Sequence, residues 1–233
     1  MIHCSLGRHE MLLPVAEQLA QRVTLFDLPG HGRSPDWDGI TDYHSLTTGI
    51  AAGLAAPASH LIGHSFGATV ALRLAIERPD LVARLTLIEP VFFAVAKGEP
   101  EYPAHVAGFA PYIAAMDRGD LIAAARVFTD VWGASGWDSL PASAQAGIAR
   151  RIHMIAAAAP AIEDDNAGLM QPGRIAGISV PVTLIRGANS PPIIAAIHRA
   201  LGQLMPHARQ VVVPDAGHMV AVTHPDAVVK AMA

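Results

Sequence analysis

Short apolar runs rich in β-branched residues recur along the chain, and most are followed by a stretch with helical spacing. The runs are Val23–Phe26, His60–Ile62, Leu85–Ile88, Val182–Ile185 and Gln210–Val213. The helical patterns cover Met11–Gln21, Ser45–Ala55, Phe66–Arg78, Pro192–Met205 and Pro225–Met232. Continuous apolar strands alternating with helices predict an α/β fold built on a mostly parallel sheet covered on both faces. Right-handed crossovers then restrict the topology.

The alternation lapses from Val91 to Gly177. That span holds no strand-like run but shows helical patterns at Tyr112–Met116, Asp120–Val131 and Ala142–Ala159. Pro90 opens it and Pro172-Gly173 closes it, which marks an excursion from one body rather than an independent unit. Residues 1–90 and 178–233 are therefore expected to form the core, and 91–177 a helical cap inserted after one strand.

Composition narrows the picture further. The 233 residues are 52% hydrophobic and 15% charged, enough to bury a sizeable core. A net charge of −4 without any Lys/Arg run argues against nucleic acid or an anionic membrane surface as partner. The single cysteine, Cys4, excludes an internal disulfide and a cysteine-cluster metal site. None of the 12 histidines has H-E-x-x-H spacing, so no metal is expected. No apolar run reaches the roughly 20 residues of a membrane span, and no secretory signal precedes the first element. A cytoplasmic protein is the expectation.

The candidate chemistry lies in Gly63-His64-Ser65-Phe66-Gly67, placed between a strand-like run and a helical one. G-x-S-x-G at a strand–turn–helix junction presents a serine hydroxyl from a strained turn, and the glycines let strand and helix approach closely. Serine needs a base within hydrogen-bond reach. His218, in the turn Asp215-Ala216-Gly217-His218 after the last strand, is the candidate, because a parallel sheet brings both turns to one edge. His31 and His64 are read as structural or pocket-lining.

Four motifs in this order resemble the α/β-hydrolase superfamily, in its capped single-domain form, from about His3 to the C-terminus. His3-Cys4-Ser5 stands where the family commonly has His-Gly-x after its third strand. Asp27-Leu28-Pro29-Gly30-His31-Gly32-Arg33-Ser34 matches the D-x-P-G-x-G-x-S turn after the fourth. The Ser65 turn follows the fifth, and Asp215–His218 matches the D-x-G-H turn after the eighth. Only Met1-Ile2 precedes His3, so either two of the family's strands are absent at the front or the true start lies upstream. The fourth strand then forms the sheet edge, which favours pairing with a second copy and makes a homodimer an expectation.

The resemblance also assigns roles. Stabilisation of an oxyanion falls to the N–H groups of Phe66 and of Ser5, or of Leu6, with Cys4 in place of the usual glycine. The family's acid follows the seventh strand, but Arg186–Pro192 contains none. Glu89, directly after the sixth strand, is the preferred acid, with Asp215 as the alternative. Leu6, Phe92, Phe109, Trp132 and Met219 are expected to contact substrate. The implied activity is hydrolysis of a small, largely apolar carboxylic ester through an acyl-enzyme on Ser65, with no cofactor. A carbon–carbon hydrolase or lyase using the same triad, and a small-ligand-binding member without turnover, are the alternatives.

Overall fold

The computed structural model describes all 233 residues. Four strands form one sheet: β1 (Ser59–His64), β2 (Val82–Ile88), β3 (Val182–Gly187) and β4 (Arg209–Val213). They are parallel and adjacent in chain order. Ten α-helices accompany them. The first three are α1 (Leu13–Ala16), α2 (Tyr43–Leu54) and α3 (Phe66–Glu77). Between β2 and β3 lie α4 (Tyr102–Asp117), α5 (Leu121–Trp132), α6 (Ala142–Arg151) and α7 (His153–Ile162). The chain closes with α8 (Pro192–Leu204), α9 (Val220–Thr223) and α10 (Pro225–Met232). No helix is long and apolar enough to cross a membrane.

Alternation along each strand divides the core between the two sheet faces. Leu61, Leu85, Leu87, Val182 and Leu184 face one way, in a 35-residue cluster with side chains from α2, α3, α7 and α8. Ile62, Ile88, Ile185 and Val213 face the other way, in a 12-residue cluster with side chains from α1, α9 and α10. Both faces of β1, β2 and β3 are covered toward their C-terminal ends, which is why those strands read as continuous apolar runs, whereas β4 is largely exposed up to Val213.

The expected strand Val23–Phe26 is not formed. Ile2 makes single parallel bridges to Phe26 and to Gly63, and pairing at that edge ends there. Beyond that bridge, the Met1 amino group donates to Thr24 O (2.7 Å), but no ladder forms over residues 23–25. The expected helix Met11–Gln21 shrinks to a 3₁₀ turn at His9–Leu12 followed by α1.

In the span between β2 and β3, the helix expected over Tyr112–Met116 begins ten residues earlier. Pro103 sits in its first turn, where its missing N–H costs nothing, while Pro111 is carried inside the helix. The stretch Ala142–Ala159 divides at Ile152 into α6 and α7. These helices have a small core of their own, including Tyr112, Ala124, Trp137 and Ile152. Met154, Ala158 and Ile162 of α7 pack instead into the main core, so α7 ties the helical segment to the sheet.

Candidate active site

Parallel register places the three turns that matter at one end of the sheet. His64 pairs with Ile88, Ile88 with Ile185, and Gly187 with Val213. The ladder runs one residue beyond the strands, with Ser65 N–H donating to Ile88 O (2.9 Å) and Glu89 N–H to Ile185 O (2.8 Å). Ser65 and Glu89 therefore emerge side by side from neighbouring strand tips. The chain after β4 returns over them, held by Asn189 N–H donating to Ala216 O (2.8 Å).

Two close approaches require glycine. A Cβ on Gly67 would collide with the carbonyls of Ile2 and His3, and one on Gly63 with the carbonyl of Gly67. Between them Ser65 holds φ 57°, ψ −119°, a conformation that L-residues rarely adopt. Its hydroxyl is thereby lifted off the end of α3 and makes no cap hydrogen bond there.

Ser65, His218 and Glu89 form one hydrogen-bonded chain. Ser65 Oγ lies 2.9 Å from His218 Nε2, and His218 Nδ1 lies 2.9 Å from Glu89 Oε2. Glu89 is fully buried, also at positive φ (51°), and its other oxygen accepts from Gly187 N–H and from Ser190 Oγ–H, each at 2.6 Å. Burial works to raise its pKa, but the hydrogen bond and charge of His218, with the Ser190 and Gly187 donors, hold it below the usual carboxylate range. An ionised carboxylate only accepts, so the imidazole proton resides on Nδ1 and Nε2 is left to accept from Ser65. The loop after β3 supplies no acid, but its Ser190, with Gly187 at the end of β3, supplies two of the donors that hold one. Asp215, the other candidate acid, is exposed in its own left-handed turn.

The loop at His3–Gly7 is fixed by histidines kept neutral. Burial lowers the pKa of His3 to about 3 and of His31 to about 4. His3 donates from Nδ1 to Cys4 O (2.7 Å) and accepts at Nε2 from Leu28 N–H (3.0 Å). His31 donates to Pro29 O (2.9 Å) and accepts from Leu6 N–H (2.9 Å). Leu6, at φ 62°, thus spends its N–H on His31. The N–H groups of Ser5 and Phe66 have no protein acceptor, and both residues border the same cavity as Ser65 and His218. Asp27 organises the neighbouring turn by accepting from the N–H groups of His9 (2.8 Å) and Arg33 (3.0 Å).

His64 makes a contact the sequence did not announce. Its Nε2 lies 2.9 Å from the backbone carbonyl of His218, so the residue before the serine braces the loop that carries the histidine. Burial holds its pKa down to about 4, and neutral His64 donates to that carbonyl. Only a structure brings the two together, since they are 154 positions apart.

The cavity at Ser65 is narrow, about 60 Å³, and mostly apolar. Phe109 and Trp132 line it, and the Trp132 ring stands edge-on to His218 with centroids 4.8 Å apart. Phe92 does not line it; it is fully buried in the main core. Leu6 and Met219 border a separate cavity of about 190 Å³ that shares Ser5, Phe128 and Trp132 with the first. Helices α4, α5 and α7 supply most of the wall, which places these three away from it. His105 and Glu163 also line the cavity at Ser65 and carry no motif that would have revealed them.

The chain matches the alpha/beta hydrolase family over residues 1–231. It belongs to that family, and it spans only about a quarter to a third of the length of several curated relatives it matches. Among its relatives, the pimeloyl-[acyl-carrier protein] methyl ester esterase of Nitrosomonas europaea is 28% identical over 230 residues, covering 91% of this chain and 84% of that protein. The esterase of the same name from Methylococcus capsulatus is 47% identical over 90 residues, 35% of this chain and 31% of the relative. A dihydrolipoyllysine-residue acetyltransferase component of the acetoin cleaving system, from Cupriavidus necator, is 32% identical over 111 residues, 46% of this chain. That match spans only 27% of the relative's length. The crystal structure of the enol-lactonase from Burkholderia xenovorans LB400 superposes with a TM-score of 0.72 at 23% identity, over 99% of this chain and 87% of that one, and attests the fold.

Proposed function

We propose that the protein hydrolyses a small, largely apolar carboxylic ester through an acyl-enzyme on Ser65. The reading rests on one observation, the relay Ser65–His218–Glu89 with both links at 2.9 Å. His218 takes the proton from Ser65 as its Oγ attacks the carbonyl carbon. Glu89 holds the imidazole in the tautomer that can accept, then stabilises the imidazolium. The oxyanion collects at the unpaired N–H groups of Ser5 and Phe66, each worth about 3 kcal/mol of barrier. His218 returns the proton to the departing alkoxide, and a second round with water releases the acid. Apolar walls suit an uncharged acyl group. The methyl ester esterases among the relatives make methyl esters the first substrates to try.

The test is reaction with a fluorophosphonate, read by intact mass and by the modified peptide, alongside turnover of short methyl and p-nitrophenyl esters. Labelling confined to Ser65, and loss of both labelling and turnover in Ser65→Ala, is the expected result. Folded protein that neither labels nor turns over esters refutes the reading and leaves a ligand-binding role.

A further inference from the structure

The cavity at Ser65 holds one polar pair away from the relay, and the proposed function makes no use of it. His105, on α4, and Glu163, just beyond α7, both line the wall. His105 Nε2 lies 3.2 Å from Glu163 Oε1, and Tyr102 Oη–H donates to Glu163 Oε2 at 3.2 Å. The His105 ring is clamped by aromatic faces, stacked on Phe93 at 4.2 Å and facing Phe109 at 6.2 Å between centroids. Its side chain is only 7% exposed, so its orientation is fixed rather than solvent-averaged.

An accounting of donors shows what such a pair offers. Glu163 accepts from Tyr102 and from His105, which puts the His105 proton on Nε2. His105 Nδ1 then carries a lone pair and no protein partner, and it is not among the sealed-off polar atoms of the protein. The pair thus lies on the wall of a site lined, apart from Ser5 and the Ser65–His218 pair, by apolar side chains, and His105 also borders a neighbouring cavity of about 220 Å³. No Lys or Arg lines the cavity to meet a carboxylate, and both Glu163 oxygens already have donors, so no cationic group is required. The missing partner is a neutral hydrogen-bond donor.

Resting on the ester-hydrolase reading of Ser65, we propose that His105, held by Glu163, is a specificity-determining residue that recognises a hydroxyl or amide N–H on the acyl group, remote from the scissile carbonyl. The preferred substrate class is the ester of a hydroxy- or amido-substituted acid. A plain alkanoate of the same length leaves Nδ1 of His105 dehydrated and unpaired, and pays for it in transition-state binding. A hydrogen bond of this neutral kind corresponds to a preference of about fivefold in kcat/KM.

The experiment compares methyl hexanoate, heptanoate and octanoate with their ω-hydroxy counterparts, using wild type, His105→Phe and Glu163→Gln. Phenylalanine keeps the stacking and removes the nitrogens. Wild type is expected to favour the hydroxy ester about fivefold for at least one chain length, chiefly through KM, and His105→Phe to bring that ratio close to one. Glu163→Gln, whose amide no longer fixes the ring tautomer, is expected to fall between. If the pair only fastens α4 to α7, both ester series slow together and the melting temperature drops, which overturns the proposal. So does a wild type indifferent to the hydroxyl, or a preference that survives His105→Phe. Fluorophosphonate labelling of Ser65 separates the two levels. Labelled enzyme that hydrolyses plain esters without preference sinks this inference alone, whereas unlabelled, inactive protein sinks the ester-hydrolase reading with it.

Discussion

Replacing Glu89 by glutamine tests the relay at its least familiar member. The carboxylate receives three hydrogen bonds in full burial, from Gly187 N–H, Ser190 Oγ–H and His218 Nδ1–H. Glutamine fits the volume but has one acceptor oxygen and one donor nitrogen. The Gly187 donor is a backbone group and cannot turn, so the amide oxygen stays there and the NH₂ group faces His218. Nδ1 must then accept, the ring proton moves to Nε2, and Nε2 can no longer take a proton from Ser65. The opposite flip sets the amide NH₂ against Gly187 N–H and leaves that buried donor unpaired, at a cost of about 1–3 kcal/mol. An imidazole held in the wrong tautomer lowers kcat on the order of 10⁴-fold, with little change in KM. The assay is ester turnover and the rate of fluorophosphonate labelling, with a thermal melt to show that Glu89→Gln is folded. A folded Glu89→Gln enzyme within tenfold of wild-type kcat would refute the assignment and return the acid to another residue.

Two further outcomes follow from the packing. Gly67→Ala forces a methyl group against the carbonyls of Ile2 and His3, which no side-chain motion can relieve. A loss of about 1–3 kcal/mol in urea unfolding is expected, and unchanged stability would show that the front of the chain can move away from α3. Acid should unfold the protein early. His3, His31, His44, His64 and His198 are buried and held neutral, with pKa values lowered by that burial from 6.5 to about 3 for the first and about 4 for the others. The unfolded chain therefore binds more protons than the folded one between about pH 6.5 and pH 4. Stability is complete above that window and is lost as pH falls through it, by up to about 1.4 kcal/mol per histidine for each pH unit. A urea midpoint that stays flat from pH 7 to pH 5 would show that these rings titrate freely.

Much of the sheet and of the Ser65 turn was legible in the amino-acid sequence, because both depend on neighbours along the chain. The runs at 60–62, 85–88 and 182–185 are mostly apolar on both faces and form buried parallel strands, whereas the run at 210–213 forms a strand that stays largely exposed. Gly63 and Gly67 stand where any side chain would meet backbone, so the turn's identity is written in five consecutive residues. The start of helix α10 was readable to the residue, since Pro225 stands at its first position.

What failed to be legible depends on distant partners. Val23–Phe26 has strand composition, but a ladder needs a second strand and Ile2 offers one bridge. Phe92 and Phe109 are the same residue type, yet one fills the main core and the other the wall of the cavity, according to how the helices between β2 and β3 fold back over the sheet. Glu89 and Asp215 were both acids at strand ends, and only register separates them. The sequence by itself determined that a serine would stand on a strained turn at the tip of a parallel sheet. The tertiary structure decided which carboxylate lies 2.9 Å from His218 and which polar pair shares the cavity, because those contacts join residues 58 to 153 positions apart. Hydrogen bonds and burial depend on distance in space, and one chain's order of residues leaves that distance open until the packing closes it.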